Sequence, residues 1–379
     1  MADSLQALSG NLTGNITVAQ ILRPARGGMK RHVEGLIATS EKTTHLLFAP
    51  PGVLNEFQQS RNREIAALIP LDISARPNPL RDRLQARRLS KQLRDSKCEI
   101  VHAHGIRGAM IGVPAARIAG LPVIVTLHNL LSQSTVQRLF LQNVLKKSNQ
   151  IITVSGAIAD QINYLRLANP PQIIPNGVDT SEYGRLIYCD YLRQEYKINP
   201  KSKIIMGVGR LEKEKGFTLL AGAFNQLRGR AGNVVFVLVG EGTEHGTLLR
   251  FAEERNDVVL TGQLKDVRPL MSCADLVVIP SRSEGQSLVA LEAMASGVPV
   301  IASRVGGLPE TLGEEMQEAL FNPEDVQDLT QKMIQFMTDE PLRERHKELG
   351  LERVREHYEL KDQIRKVEAV YSKLVERKK

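Results

Sequence analysis

The sequence predicts an α/β protein built from two doubly wound, parallel-sheet domains facing each other across a cleft. Three observations carry that prediction. Short apolar runs alternate with helical patterns along the chain, which is what a parallel sheet covered by crossover helices on both faces requires. The alternation occurs twice, once on each side of the turn-rich segment Lys197-Ile198-Asn199-Pro200. The 379 residues, 42% hydrophobic and 24% charged, suit two globular domains with substantial cores.

In the first half the expected strands are Ile16–Leu22, Thr44–Phe48, Ile65–Leu71, Ile100–Ala103, Val123–Leu127, Ile151–Val154 and Gln172–Pro175, with helical patterns between most of them. In the second half they are Ile204–Val208, Val234–Val239, Val258–Leu260, Leu276–Ile279 and Pro299–Ala302. Helices are expected at 216–229, 244–255, 266–272 and 286–296, and a charged helical tail from Glu340 onward. The sequence has no internal repeat of fixed period.

Composition excludes several classes. The cysteines, Cys98, Cys189 and Cys273, have no paired spacing. No disulfide framework or cysteine zinc cluster is expected, and a reducing compartment fits. The amino terminus, MADSLQALSGNLTGN, has neither a basic start nor a long apolar run, so no signal peptide is expected. No uncharged apolar stretch is long enough for a transmembrane helix. The sequons Asn11-Leu12-Thr13 and Asn15-Ile16-Thr17 are taken as chance matches.

Charge is unevenly distributed. Residues 1–190 hold 22 basic and 13 acidic side chains, and the remainder 28 and 29, so the net +8 arises in the first half. Its densest part is 76–97, with Arg76, Arg81, Arg83, Arg87, Arg88, Lys91, Arg94 and Lys97 against Asp82 and Asp95. Leu80, Leu84 and Leu93 recur at near-helical spacing, which predicts an amphipathic helix with a basic outer face. Such a face is either simply solvated or attracted to an anionic membrane surface or acceptor. Aromatic residues make up 4% and Trp is absent, so stacking platforms for nucleic acid are scarce and no nucleic-acid partner is expected.

Rossmann-like sheets invite a dinucleotide reading. Gly207-Val208-Gly209 and Gly240-Glu241-Gly242 each follow a strand, but the third glycine position holds Glu212 in one and His245 in the other. Neither completes the dinucleotide fingerprint. The strongest local signal is PSRSEGQSLVALEAMASG at 280–297, where a strand ends in a glycine-containing loop that leads into a helix. Glu284 and Glu292 lie eight residues apart. If that stretch were helical throughout they would be ~12 Å apart along the axis, too far to flank one glycosidic bond in the manner of a retaining hydrolase. That spacing suits two carboxylates on different parts of one long ligand, and a helix amino terminus beside a glycine loop favours an anion. In GVGRLEKEKG at 207–216, Arg210 and Lys215 are cations placed off a strand end, as a diphosphate would need. The paired glycines of GGMKRH at 27–32 would let a ligand approach the backbone.

Together these residues resemble the retaining GT-B glycosyltransferases of family 4 (glycosyl transferases group 1). The resemblance runs along nearly the whole chain in order: GGMKRH at 27–32, VHAHG at 101–105, VTLHN at 125–129, ITVS at 152–155, IPNGVD at 174–179, GVGRLEKEKG at 207–216, LVGEG at 238–242, LTGQL at 260–264, and the pair Glu284 and Glu292. It implies the GT-B fold, with an acceptor-side domain over 1–195 and a nucleotide-sugar domain over 196–361. The helix of 362–379 would be available to pack back on the first domain.

The resemblance further implies transfer of a hexosyl group from a nucleotide-diphosphate sugar, most often a UDP-sugar, to an acceptor hydroxyl with retention. The acceptor would be a glycan or lipid-linked molecule of the cell envelope, reached from the cytoplasm. His128 would stand at the acceptor side, with His102, His104 and His32 as weaker candidates. Glu284 would lie near the donor sugar, with the backbone of Gly285, Gln286, Ser287 and Leu288 at its hydroxyls, and Glu292 would hold the ribose. Arg210 and Lys215 would grip the diphosphate and stabilise the leaving group, and Gly27 and Gly28 would pack against the donor. No Asp-x-Asp occurs, so no metal ligand and no cofactor is assigned. The chain departs from the family pattern at Gln286-Ser287, where an apolar residue is usual, and at LGEEMQEALFNPED, which replaces a glycine-rich turn. A sugar-nucleotide 2-epimerase on the same fold and a non-catalytic glycosyltransferase partner are the alternatives.

Overall fold

The computed structural model describes residues 15–24, 27–59, 65–74, 76–131, 141–184, 189–253 and 255–377. The sequon at 11–13 and nearly all of the amino-terminal stretch read above lie outside them. The chain divides into two compact units: one runs to Asn176 and resumes at Leu360, and the other is Gly177–Glu359. The first unit's leading segment ends at Asn176, ahead of the 195/196 boundary that the resemblance implies, and the turn segment Lys197–Pro200 lies inside the second unit.

The first unit carries β1 (Ile16–Ile21), β2 (Thr43–Ala49), β3 (Ile65–Pro70), β4 (Ile100–His104), β5 (Val123–Leu127), β6 (Gln150–Thr153) and β7 (Gln172–Ile173). All pair in parallel, in the order β3-β2-β1-β4-β5-β6-β7. Its main helices are α1 (Gly28–Thr39), α2 (Pro51–Gln59), α3 (Pro79–Asp95), α4 (Gly105–Ala119) and α5 (Gly156–Ile162). The carboxyl-terminal helix, Leu360–Glu376, sets Ile364, Val367, Val370, Tyr371 and Leu374 against Val18, Ile100, Ile124 and Ile152 of the sheet. Tyr371 is wholly buried there, and burying large apolar side chains supplies about 1.5–3 kcal/mol each.

The second unit carries β8 (Lys203–Val208), β9 (Val234–Val239), β10 (Val258–Leu260), β11 (Leu276–Ile279), β12 (Val300–Ser303) and β13 (Leu320–Phe321), again all parallel, in the order β10-β9-β8-β11-β12-β13. The interior strand β9 is VVFVLV with every residue buried, as a strand covered on both faces must be. Strand order reverses at β1/β4 in one sheet and at β8/β11 in the other. Ligands of open α/β sheets bind outside the carboxyl ends of the strands at such switch points.

Three expectations need correction. The apolar spacing in α3 points the wrong way: Leu80 and Leu84 are 79% and 55% exposed, while Gln85, Ala86, Leu89 and Leu93 are buried. The inward face is set by a bidentate ion pair of Arg107 on α4 with Asp82, at 2.8 and 3.0 Å and almost wholly buried. Cys189 and Cys273 form a disulfide, against the expectation of unpaired thiols in a reducing compartment. They are 84 residues apart, so spacing gave no sign of it, and only Cys98 is free and buried. The helix expected over 266–272 is reduced to Arg268–Met271, with Pro269 in its first turn. The atypical 312–325 segment folds as a 3-10 stretch, Glu314–Ala319, feeding the edge strand β13, which is too short to show an apolar period.

Candidate functional site

Most of the residues singled out in the second half converge at the carboxyl edge of β8 and β11. Arg210 leaves the end of β8 and is exposed. Lys215 lies in a 3-10 turn, Lys213–Lys215, ending in Gly216. Gly216 has φ +70°, and a Cβ there would stand 2.0 Å from the Pro280 carbonyl oxygen. The loops after β8 and β11 therefore touch backbone to backbone, and Arg282 N–H donates to the Glu214 carbonyl at 2.8 Å. This contact brings Lys215 Nζ to 2.6 Å from Glu284 Oε2, which also accepts from Ser281 Oγ at 3.0 Å. The Glu284 carbonyl accepts from Gly307 N–H at 3.1 Å, tying in the loop after β12.

The glycines that failed the dinucleotide fingerprint have a packing role. A Cβ at Gly240, φ +144°, would lie 1.8 Å from the Gly209 carbonyl oxygen. Glu212 accepts from the Thr243 hydroxyl at 2.6 Å, and that bond holds its carboxyl below the usual range. The loops after β8 and β9 are thus locked together beside Arg210.

Glu284–Ser287 is loop, and the helix begins only at Leu288 with Ser287 as its cap, accepting from Ala290 N–H at 3.3 Å. The premise that Glu284 to Glu292 is helical throughout does not hold. Glu292, 4% exposed, sits in the middle of that buried helix, Leu288–Ala295, with Gln286 and Ser287 also buried at its start.

In the first unit Gly27, φ +75°, caps α1, and Gly28 opens it. His32 projects inward from the next turn of α1. His104 ends β4, and His128 follows β5. The ring centroid of His32 is 4.6 Å from that of His128 and 5.5 Å from that of His104. Burial drives all three rings toward the neutral form, His32 down to about 4, and neighbouring histidines push His104 and His128 the same way. Arg23 adds to the effect on His128.

A network that sequence reasoning missed fixes these rings. Gln20, buried in β1, donates its amide N–H groups to His45 Nδ1 (3.0 Å) and the Tyr371 hydroxyl (3.2 Å), and its Oε1 faces His104 Nε2 at 2.7 Å. Since Oε1 only accepts, His104 carries its proton on Nε2 and leaves Nδ1 as a lone pair. His128 Nε2 lies 3.3 Å from that Nδ1 and donates to it. His32 Nδ1 lies 2.8 Å from Asn176 Oδ1, to which it can donate, and 2.8 Å from the Gln363 amide nitrogen, from which it can accept, so the tautomer decides which of the two bonds forms. His102 lies between the Tyr371 and Thr126 hydroxyls, at 2.6 Å from each. The available signal was Gln20 itself, a polar residue inside the apolar run of a central strand.

Residues 26–182 match the family model Glycosyltransferase Family 4, and 202–339 match Glycosyl transferases group 1. The N-acetyl-alpha-D-glucosaminyl L-malate synthase of Bacillus anthracis is 26% identical over 77% of this chain and 79% of its own length. The UDP-Gal:alpha-D-GlcNAc-diphosphoundecaprenol alpha-1,3-galactosyltransferase of Escherichia coli is 27% identical over 67% of this chain and 70% of its own. The crystal structure of Anabaena Alr3699/HepE in complex with UDP and glucose superimposes with a TM-score of 0.83 at 19% identity, covering 95% of this chain and all of that one.

Proposed function

The chain belongs to the family 4, group 1 glycosyltransferases and has their GT-B fold, and from that premise we propose that it is a retaining hexosyltransferase. It takes its sugar from a nucleotide diphosphate, most readily UDP. The observation that carries this reading is the Lys215–Glu284 pair at the switch point of the second sheet, with exposed Arg210 on the same loop after β8 and buried Glu292 on the helix after Glu284. Two cations next to a carboxylate are what a sugar diphosphate requires: the cations take the diphosphate and the carboxylate faces the sugar.

In the proposed reaction the bond between C1 of the sugar and the diphosphate oxygen breaks as Arg210 and Lys215 stabilise the departing negative charge. The acceptor oxygen bonds to C1 on the same face, and its proton passes to a diphosphate oxygen. Glu284 and the Gly285–Leu288 backbone hold the sugar hydroxyls, and Glu292 holds the ribose. In the first unit, Gly27 and Gly28 form the donor-facing turn and His128 serves the acceptor side. Gln286 and Ser287, polar where relatives are apolar, favour a donor sugar with an additional polar group.

The acceptor is lipid-linked or part of an envelope glycan, by analogy with the Escherichia coli relative and its diphosphoundecaprenol acceptor. No described helix is long and apolar enough to cross a membrane. Exposed Leu80 and Leu84 among Arg83, Arg87, Arg88 and Lys91 suit a helix that lies on an anionic bilayer. Co-sedimentation with anionic liposomes at low salt tests that point, and binding that survives neutralising all four cations would refute it. The transfer itself is tested by proton NMR of products from a panel of UDP-sugars with lipid-diphosphate acceptors. An axial donor linkage giving an axial product supports the reading. Inversion, or conversion of the donor to its 2-epimer without acceptor product, refutes it.

A further inference from the structure

We propose that His32, His104 and His128 form a binding site for a divalent transition cation of the zinc class. One ring nitrogen of each of these three buried residues lies within 4.8 Å of those of the other two, and we assign the ligand atoms as His32 Nε2, His104 Nδ1 and His128 Nε2 from the partners of their other nitrogens and the 3.3 Å contact between the last two. In a tetrahedral site with metal–nitrogen bonds of 2.0–2.1 Å, ligand nitrogens stand about 3.3–3.4 Å apart. His104 Nδ1 and His128 Nε2 are already at 3.3 Å, and the other two edges shorten on binding.

Two of the three rings are held ready by their other nitrogens. His104 donates Nε2–H to Gln20 Oε1, so its Nδ1 presents a lone pair. His32 Nδ1 lies 2.8 Å from both Asn176 Oδ1 and the Gln363 amide nitrogen and can serve only one of them; the metal-ready tautomer is the one that donates to Asn176. His32 Nε2 is buried without a hydrogen-bond partner, on a residue only 4% exposed. A buried polar atom left unsatisfied is costly, and a metal ion would satisfy it. Fixing a histidine ligand through a hydrogen bond on its far nitrogen is the usual second layer of a metal site. His128 would move its proton from Nε2 to Nδ1, with no net change in charge. With three imidazoles and no carboxylate, and with Arg23 close enough to act on His128, the site should reject magnesium, calcium and manganese. It should take zinc, cobalt, nickel or copper, leaving a fourth position for water or a substrate oxygen.

The test is cobalt titration of untagged, chelator-treated full-length protein, read by visible ligand-field absorption. The expected result is one tetrahedral cobalt per chain, displaced by zinc and unaffected by excess magnesium. His32→Ala and His104→Gln should each weaken binding at least 100-fold. Asn176→Ala, which removes only a supporting contact, should weaken it about 10–100-fold. The double variant His245→Ala/His357→Ala, which removes histidines outside the cluster, should bind as the parent does. Absence of the cobalt band, or binding unchanged in Asn176→Ala and His32→Ala, would overturn the proposal. Asn176→Ala supplies a reading even if a ligand variant fails to fold. Because the readout is metal and not turnover, it stands or falls independently of glycosyl transfer.

Discussion

Lys215 and Glu284 are 69 residues apart in sequence, yet Nζ and Oε2 meet at 2.6 Å where β8 and β11 end. Both side chains are mostly shielded, at 25% and 11% exposure, so water screens the pair only partly. Lys215→Ala should lower kcat/KM by about 10²–10³-fold, the usual cost of losing one donor to a developing oxyanion. Glu284→Gln should keep nucleotide affinity while losing turnover, because its carboxylate serves the sugar. Equal loss of nucleotide affinity in both variants, by calorimetry, would contradict this division of roles.

Gly216 is what permits that pairing. With φ +70° and the Pro280 carbonyl in the way of any Cβ, Gly216→Ala must displace one of the two loops. Strained backbone of this kind costs about 1–3 kcal/mol. Gly216→Ala should lower Tm by several degrees and weaken nucleotide binding. Gly222, inside the helix Phe217–Leu227, where a Cβ would meet nothing within 4 Å, is the control: Gly222→Ala should leave nucleotide binding unchanged and raise Tm slightly.

Buried His45 makes stability depend on pH. Burial lowers its pKa from 6.5 to about 4. Its ring nitrogens face Gln20 Nε2 and the Thr43 hydroxyl, and Thr43 in turn donates to the Glu368 carboxylate. Below pH 6.5 the unfolded chain takes up a proton that the folded chain refuses. Stability is therefore intact above 6.5 and falls by about 1.4 kcal/mol per pH unit from this group as pH drops toward 4. Urea unfolding at several pH values should show that fall, and His45→Gln should make it shallower over the same window.

The Cys189–Cys273 disulfide closes a long loop within the second unit. Replacing both residues by serine should cost about 2–4 kcal/mol under oxidising conditions. Thiol titration of the denatured chain should find one free thiol, Cys98, and three after reduction. Three free thiols without reduction would show that the bridge does not form.

Much of this was legible in the sequence, and the exceptions have physical causes. Every strand but the two-residue β13 read directly because parallel strands buried on two faces are continuous apolar runs, as in VVFVLV. Glu284, Arg210 and Lys215 were visible because their motifs sit at strand ends. That Lys215 would meet Glu284 was not visible, since it depends on β8 and β11 being neighbours. Leu80 and Leu84 misled because a helix facing outward can carry leucines as readily as one facing inward, and the buried Asp82–Arg107 pair set the orientation. The disulfide and the Gln20–His104–His45–Tyr371 network join residues far apart in sequence, which no local period records.

The most direct test of donor recognition is thermal unfolding of the chain with UDP, GDP and ADP in turn, in EDTA, beside Lys215→Ala. At about 100 times its dissociation constant the preferred diphosphate should add roughly 2.7 kcal/mol of stability. That should appear as a rise of a few degrees that is lost or greatly reduced in Lys215→Ala. No rise with any of the three, or the same rise without Lys215, would contradict the placement of a nucleotide-sugar at the Lys215–Glu284 pair.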